Sequence, residues 1–473
     1  MWVVPSVKPE PSTGNREPGT GGAPTQAAAP AAAGIDFLYG PDDIPPAPRL
    51  VAYGFQWVLV AIGPITLMVP VIATYLHLTP DQTVAYVQRM LLLTGIMTLI
   101  QNVAGHRYPL QDGPAGAMLL ALIAVAPEGP AAVHGGLVVG GVAGALVAAT
   151  GLLRRLAGVF TPSVTGVVLM LVALSLMPAI YPLVGGITRT HPAGEPSALA
   201  LALLVALGIP WLSYRLRGFA GTVGILLGIA GGSALAWLMG RLDLGTVAAS
   251  PWLLMPLPPD PGGITFTLGA AISFPLAFLA VTVNTVGSMY GAAEILGPAD
   301  LPARTSRAVF WNGAGNVLAG LGGSLGTVTF SLGVGVMLAT RVAARRAQVA
   351  CALMLIGLAF VPRLAAVLAA VPPAVVGGAF CATMSAQIGV GIQAVFRGKE
   401  RLTSRDYFVV GVPTLLGTLM PILPPAFYAN FPAPLAGILR NGMVVGILTV
   451  LLLEHVLLPE THRQGAKDTK GAG

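Results

Sequence analysis

Tyr108-Pro109-Leu110-Gln111-Asp112-Gly113-Pro114, followed almost at once by Gly116-Ala117-Met118-Leu119, is a polar passage broken by proline and glycine and set among long apolar runs. In lipid such a break has a restricted meaning. Backbone groups that leave a helix at membrane depth must be satisfied by protein or line a cavity, so an interrupted short helix marks a site rather than a loop. The composition establishes the lipid: of 473 residues, 55% are hydrophobic and 9% charged, against roughly a quarter charged in a soluble domain. So few charges cannot cover a solvated surface, which excludes a soluble globular enzyme. Hydropathy excludes disorder for most of the length, and the 61 glycines follow no collagen period. The net charge of +7 is scattered singly between apolar runs, without the concentrated basic face that nucleic acid requires. Cys351 and Cys381 fall inside apolar segments and suggest neither a disulfide framework nor a thiolate metal site.

Outward from the quoted passage, residues 1–48 are rich in Pro, Gly, Ala and Thr without periodicity, and are expected to form a disordered cytoplasmic tail. No apolar core of signal-peptide type follows Met1. Residues 49–459 read as the membrane domain and 460–473 as a cytoplasmic C-terminal tail. Within the domain, twelve long apolar spans begin near Leu50, Val84, His134, Phe160, Ser197, Phe219, Thr265, Ser306, Arg346, Pro373, Asp406 and Asn441, each long enough for a crossing of about 20 residues. Two shorter segments begin near Pro109 and Thr329, giving fourteen. Alternate joints then hold 14 positive residues, among them Arg107, Arg154, Arg155, Arg304 and Arg397, against 5 in the opposite joints, including Arg89, Arg189 and Arg363. That bias puts both termini in the cytoplasm.

The second short segment contains Gly335-Val336-Met337-Leu338, 219 residues after its counterpart, and Pro162-Ser163-Val164-Thr165-Gly166 is matched by Pro373-Ala374-Val375-Val376-Gly377 at an offset of 211. Two matches in the same order point to a duplication. Seven segments separate the copies, so the second is inverted relative to the first, the pattern of a secondary transporter whose site lies near the bilayer midplane.

Four stretches then carry a resemblance: Gly54-Phe55-Gln56; Phe160-Thr161-Pro162-Ser163-Val164-Thr165-Gly166; Asn312-Gly313-Ala314-Gly315-Asn316 through Gly335 to Thr340-Arg341; and Val371-Pro372-Pro373-Ala374-Val375-Val376-Gly377-Gly378. In order and spacing the chain resembles the nucleobase/ascorbate transporter family, also called nucleobase:cation symporter family 2, along residues 50–459. The resemblance implies an all-α polytopic fold of fourteen segments in two inverted repeats, with short strands before half-helices 3 and 10. It also implies a core (segments 1–4 and 8–11) that moves against a gate (5–7 and 12–14), in a multi-pass plasma-membrane permease of uracil, xanthine or other purines. Protons or sodium would be the coupling partners, and a homodimer is compatible with the family. Departures from the family pattern are specific. Its customary Gln-His reads Gln56-Trp57, its glutamate of the eighth segment reads Asn284, its tenth-segment acid or amide reads Leu332, and an aromatic of the third reads Gly116. An anion transporter or channel-like protein of the same architecture, like sulfate permeases or bicarbonate transporters, is the rival reading.

Polar groups at such a site are few. Asp112 is open to two readings, a helix N-cap or an intramembrane proton or substrate site. Gln56, Asn284 and, one turn on, Ser288 can hydrogen-bond a heterocyclic edge, while Trp57 and Phe330 offer flat faces. Ser331 and the backbone at Leu332, Gly333 and Val334 offer further donors, and Gly113, Gly116 and Gly333 permit either tight packing or close approach to a ligand. No two of the six histidines, nor a histidine with a cysteine, make a metal-ligand spacing, and no phosphate-binding loop with Lys occurs, so neither metal, cofactor nor enzymatic chemistry is expected.

Overall fold

The computed structural model describes residues 37–152, 159, 161–188, 191–216, 219–256, 263–297, 300–397 and 399–459. The expected N-terminal tail up to residue 36, the C-terminal tail, and Arg154, Arg155, Phe160 and Arg189 lie outside them. The longer helices are α1 (Ala47–Tyr75), α2 (Pro80–Val103), α3 (Gly116–Val125), α4 (Pro130–Ala149), α5 (Pro162–Leu174), α6 (Met177–Gly185), α7 (Pro196–Arg215), α8 (Gly224–Leu238) and α9 (Leu268–Leu296). They continue with α10 (Leu301–Gly322), α11 (Leu332–Thr340), α12 (Arg345–Leu358), α13 (Pro362–Ala369), α14 (Pro373–Val395), α15 (Ser404–Leu419), α16 (Ala433–Arg440) and α17 (Gly442–Leu452). Two three-residue strands, β1 (Asp112–Pro114) and β2 (Thr327–Thr329), stand immediately before α3 and α11.

Helix starts follow local chemistry. Pro80, Pro130, Pro162, Pro196 and Pro373 each occupy a first helical position, where the missing N–H costs nothing. Thr79 and Gln82 close a capping box at α2, and Thr403 and Asp406 do so at α15. Segment length departs from the expectation of twelve long spans. Among the described residues, seven helical stretches are long and apolar enough to cross a membrane, one of them α5 and α6 together, or eight if the pair α12–α13, bent by 93°, is counted as one span. The shortfall has local causes. Pro362 restarts the chain after the bend, α8 is only 15 residues long and α15 only 16, while α10 is long but carries Arg304, Arg307, Asn312 and Asn316.

Packing groups the helices in two sets. In the first, α4 lies against α9 and α10, while α12 lies against α1 and α2. The α4 contacts are glycine-dependent: a Cβ at Gly136 would overlap the Phe274 ring and one at Gly144 the Phe278 ring, and Gly141 sits over the Gly313 carbonyl. Small residues let helix backbones approach where lipid offers no hydrophobic drive. In the second set α14 packs on α5 and α7, and α15 on α17. Leu203, Leu207, Trp211 and Tyr214 of α7 face outward, an apolar stripe suited to lipid. Residues 37–46, expected to belong to the tail, are partly tied down: Leu38 N–H donates to the Arg341 carbonyl (2.8 Å), Ala343 N–H to that of Tyr39 (2.9 Å), and Asp42 pairs with Arg345.

Candidate functional site

The two strands pair antiparallel, Asp112 opposite Thr329, Gly113 opposite Val328 and Pro114 opposite Thr327. The register is extended by Ala115 N–H donating to the Gly326 carbonyl (2.9 Å) and Phe330 N–H to the Gln111 carbonyl (2.8 Å). Because the strands run in opposite directions and each leads into a helix, α3 and α11 leave the strand pair in opposite directions. Their first-turn N–H groups lie at its two ends, an arrangement that favours electron-rich ligand atoms.

Side chains close over this frame. The Phe330 ring covers Gly113 so tightly that any Cβ there would enter the ring. Trp57, 3% exposed, lies beside Gly333 and Leu110. Neighbouring Gln56 is buried with its Nε2 unpartnered. From α9, Asn284 Nδ2 donates to the Thr329 carbonyl (3.3 Å), and Ser288 Oγ donates to the carbonyls of Thr329 (3.2 Å) and Asn284 (2.8 Å). Trp57, Gly113, Asn284, Ser288, Phe330 and Gly333 are thus gathered around the strand pair by α1, α9 and the strands, with Gln56 next to Trp57 on α1. Three expected residues sit differently. Gly116 faces Val172 of α5, Leu332 is 49% exposed at the first position of α11, and Ser331 is the N-cap residue of α11 without a side-chain cap bond. The N–H groups of Gly333 and Val334 already make long bonds to the carbonyls of Phe330 (3.5 Å) and Ser331 (3.3 Å).

Asp112 is not a helix cap. The N-cap of α3 is Ala115, with no side-chain bond, and two residues, Gly113 and Pro114, separate the acid from that position. The backbone of Asp112 is instead clasped by Thr98, whose Oγ1 donates to its carbonyl (3.1 Å) and accepts from its N–H (3.2 Å). Its carboxyl is wholly buried beside the Thr329 and Gln101 side chains, without a hydrogen bond of good geometry; His106 Nε2 stands 4.0 Å away. His106 Nδ1 accepts the Tyr108 N–H (3.0 Å), so the neutral ring carries its proton on Nε2, toward Asp112. Behind the strands runs a polar chain. Gln101 Nε2 donates to Asn312 Oδ1 (2.9 Å), Asn312 Nδ2 to Thr285 Oγ1 (2.6 Å), and Asn316 Nδ2 to the Thr327 carbonyl (3.2 Å). Gln111 Nε2 reaches the Trp57 carbonyl (3.2 Å) and Cys351 Sγ (3.4 Å) on the other side.

Sequence reasoning did not single out His106, Gln101 or Thr329 for this region. The available signals were the adjacent amides Gln101-Asn102 at the end of a span and the Asn312/Asn316 pair, one helical turn apart and so on one face. Among the described residues no group of three or more His, Cys, Asp or Glu could hold a metal ion.

A family model described as the permease family matches residues 48–426. The uric acid permease PucJ of Bacillus subtilis (strain 168) is 26% identical over 415 residues, covering 86% of this chain and 92% of that protein. The uric acid transporter UacT of Escherichia coli (strain K12) is 26% identical over 413 residues, covering 86% of this chain and 85% of that one. Among solved structures, the transmembrane domain of the cyanobacterium bicarbonate transporter BicA matches with a TM-score of 0.51 at 16% identity, covering 87% of this chain and 98% of that one. At that identity the likeness speaks for the fold alone.

Proposed function

The chain belongs to the permease family, and from that premise we propose that it is a secondary permease of oxopurine nucleobases, of the urate and xanthine kind, held between α3 and α11. It is a multi-pass membrane protein rather than an enzyme, as its family membership requires. The observation that carries the reading is the strand pair that sets two half-helix N-termini against Phe330, Trp57, Asn284 and Ser288. A flat heterocycle presents carbonyl oxygens to N–H donors, ring faces to aromatic side chains and N–H groups to carbonyls such as that of Thr329. The two uric acid relatives bring the oxopurine class to this chain.

We further read the fold as fourteen segments in two inverted repeats, with both termini cytoplasmic and the plasma membrane as its seat. The helices α1–α4 and α9–α13 form a core that slides elevator-like against a gate of α5–α8 and α14–α17. The two packing sets support this division. Substrate access needs Phe330 to leave Gly113, since the ring fills the space over it.

Coupling falls to the buried Asp112–His106 pair, the acid and base that the strand pair brings to 4.0 Å. An unpaired charge there would cost several kcal/mol, so the pair gains or loses a proton as a unit when the site opens. Asp112→Asn keeps the Thr98 clasp, which is made by the backbone. The variant is expected to exchange substrate across proteoliposomes yet fail to accumulate it under an imposed pH gradient. Equal gradient-driven accumulation per folded protein removes Asp112 from coupling.

The substrate class is tested by thermal shift of the purified chain against uracil, xanthine, urate, ascorbate, sulfate and bicarbonate, because a ligand that binds only the folded state raises its stability. Xanthine and urate are expected to stabilise; stabilisation by sulfate or bicarbonate alone replaces this reading with an anion transporter.

A further inference from the structure

A cavity of about 290 Å³ lies beyond the strand pair, between the C-terminal ends of α1 and α3, the start of α6, and the turn that enters α17. Leu120, Ile123 and Ala124 of α3 line it, about 6–12 Å along the helix from Gly116 at 1.5 Å per residue. Its volume suits one small molecule, at the lower end of ligand pockets of roughly 300–1,000 Å³.

Most of the lining is apolar, but three residues of its wall, Ser175, Arg440 and Asn441, each carry a polar atom without a partner. Ser175 Oγ, Arg440 Nε and Asn441 Nδ2 are buried and make no hydrogen bond. The residues Ser175 and Asn441 are only 5% and 3% exposed. The orientation of Asn441 is set by the fold. As N-cap of α17 its Oδ1 accepts the Val444 N–H (3.2 Å), which leaves the amide NH₂ turned away from the helix. The backbone at this point can take nothing larger than glycine after it, since a Cβ on Gly442 would strike the Gly417 carbonyl and Pro421. Arg440 lies over the Tyr428 ring, 5.4 Å from its centroid, and the Tyr428 hydroxyl is spent on the Met420 carbonyl. Among the described residues no acidic side chain lines the cavity.

A buried guanidinium Nε, an amide NH₂ and a hydroxyl in the wall, with no carboxylate lining the cavity to neutralise them, form a donor set that favours oxygen acceptors. Tyr75, Tyr428 and aliphatic side chains make up the rest of the lining, and aromatic rings suit a flat body. We propose that this cavity is a second binding site, for planar oxyanionic heterocycles, in which Arg440 and Asn441 grip the ligand oxygens. The choice of urate as probe rests on the reading of function above; the donor set does not. In the topology proposed above, the cavity opens on the outward side, where it holds the anion before the half-helix site takes it.

Radiolabelled urate, a monoanion at neutral pH, is bound to the purified full chain in equilibrium dialysis, with Asn284→Ala as the background that weakens the half-helix site. Urate binding that remains in Asn284→Ala is expected to weaken roughly ten- to a hundredfold on adding Arg440→Gln, the worth of one charge-assisted hydrogen bond. Arg440→Lys keeps the charge without the fork and should fall between. Asn441→Asp preserves the cap while replacing the NH₂ donor by an anionic oxygen, and should weaken urate as strongly as Arg440→Gln. Neutral hypoxanthine and tetrahedral sulfate should displace urate poorly. An unchanged isotherm on adding Arg440→Gln, displacement by sulfate as effective as by urate, or no urate binding at all overturns the proposal. The two sites fail separately. Loss of all binding in Asn284→Ala alone overturns this site and keeps the half-helix reading, whereas binding indifferent to Asn284 and abolished by Arg440→Gln does the reverse.

Discussion

Between β1 and its end at Val125, α3 buries six consecutive side chains from Ala117 to Leu122, whereas α11, built on the same strand-then-helix plan, buries only Gly333, Val336 and Met337. Leu332 and Leu338 of α11 are 49% and 43% exposed. The polar chain behind the strands divides as unevenly. Asp112 and its His106 belong to the first strand's side, and Phe330, the side chain that fills the gap, belongs to the second. Segments with few buried contacts open at low cost. The difference teaches that α3 is a packed wall and α11 with Phe330 the loosely packed side, although the two read alike in sequence.

Truncation in the wall should have the largest effect. Leu119→Ala removes a wholly buried side chain from α3 and is expected to cost on the order of 2–5 kcal/mol, read as a lower thermal midpoint in detergent. Leu338→Ala, the same change at the repeat counterpart in α11, should move it by less than about 0.5 kcal/mol; similar losses at both positions would break the comparison. Next in size, Asn284→Ala leaves a ligand polar group unpaired and should weaken xanthine by about 1–3 kcal/mol, measured as a shift of the uptake KM. Gly113→Ala forces the Phe330 ring aside; it should change the rank order of nucleobase affinities severalfold while leaving thermal stability nearly intact, since the displaced ring sits on the loosely packed side. Loss of stability without a change in selectivity would assign Phe330 to the wall. Smallest, Asp42→Ala removes an exposed partner of Arg345 and is expected to cost about 0–1 kcal/mol.

The strongly local features were legible in the sequence. Helix starts expected near Leu50, Val84, His134 and Pro373 fall at Ala47, Pro80, Pro130 and Pro373, because prolines and capping residues write their positions into the chain. The break at Pro109–Pro114 and its counterpart near Thr329 were readable for the same reason. Relations across the fold were not. Nothing in the spacing brings His106 to Asp112, since the approach depends on a turn with Arg107 at φ 56° and on Thr98 holding the strand. The covering of Gly113 by Phe330, 217 positions on, is fixed only by the strand register. Span length misled where prolines and bends shorten helices that hydropathy alone runs together.

The account's central claim is that a planar nucleobase is carried through the gap between α3 and α11. Uptake of radiolabelled urate into proteoliposomes tests it most directly, wild type beside Asn284→Ala, with empty liposomes as baseline and uptake normalised to folded protein. The account predicts saturable uptake by the wild type, inhibited by xanthine, and a KM raised roughly ten- to a hundredfold in Asn284→Ala. Uptake indistinguishable from empty liposomes, or saturable uptake with the same KM in both proteins, would contradict it.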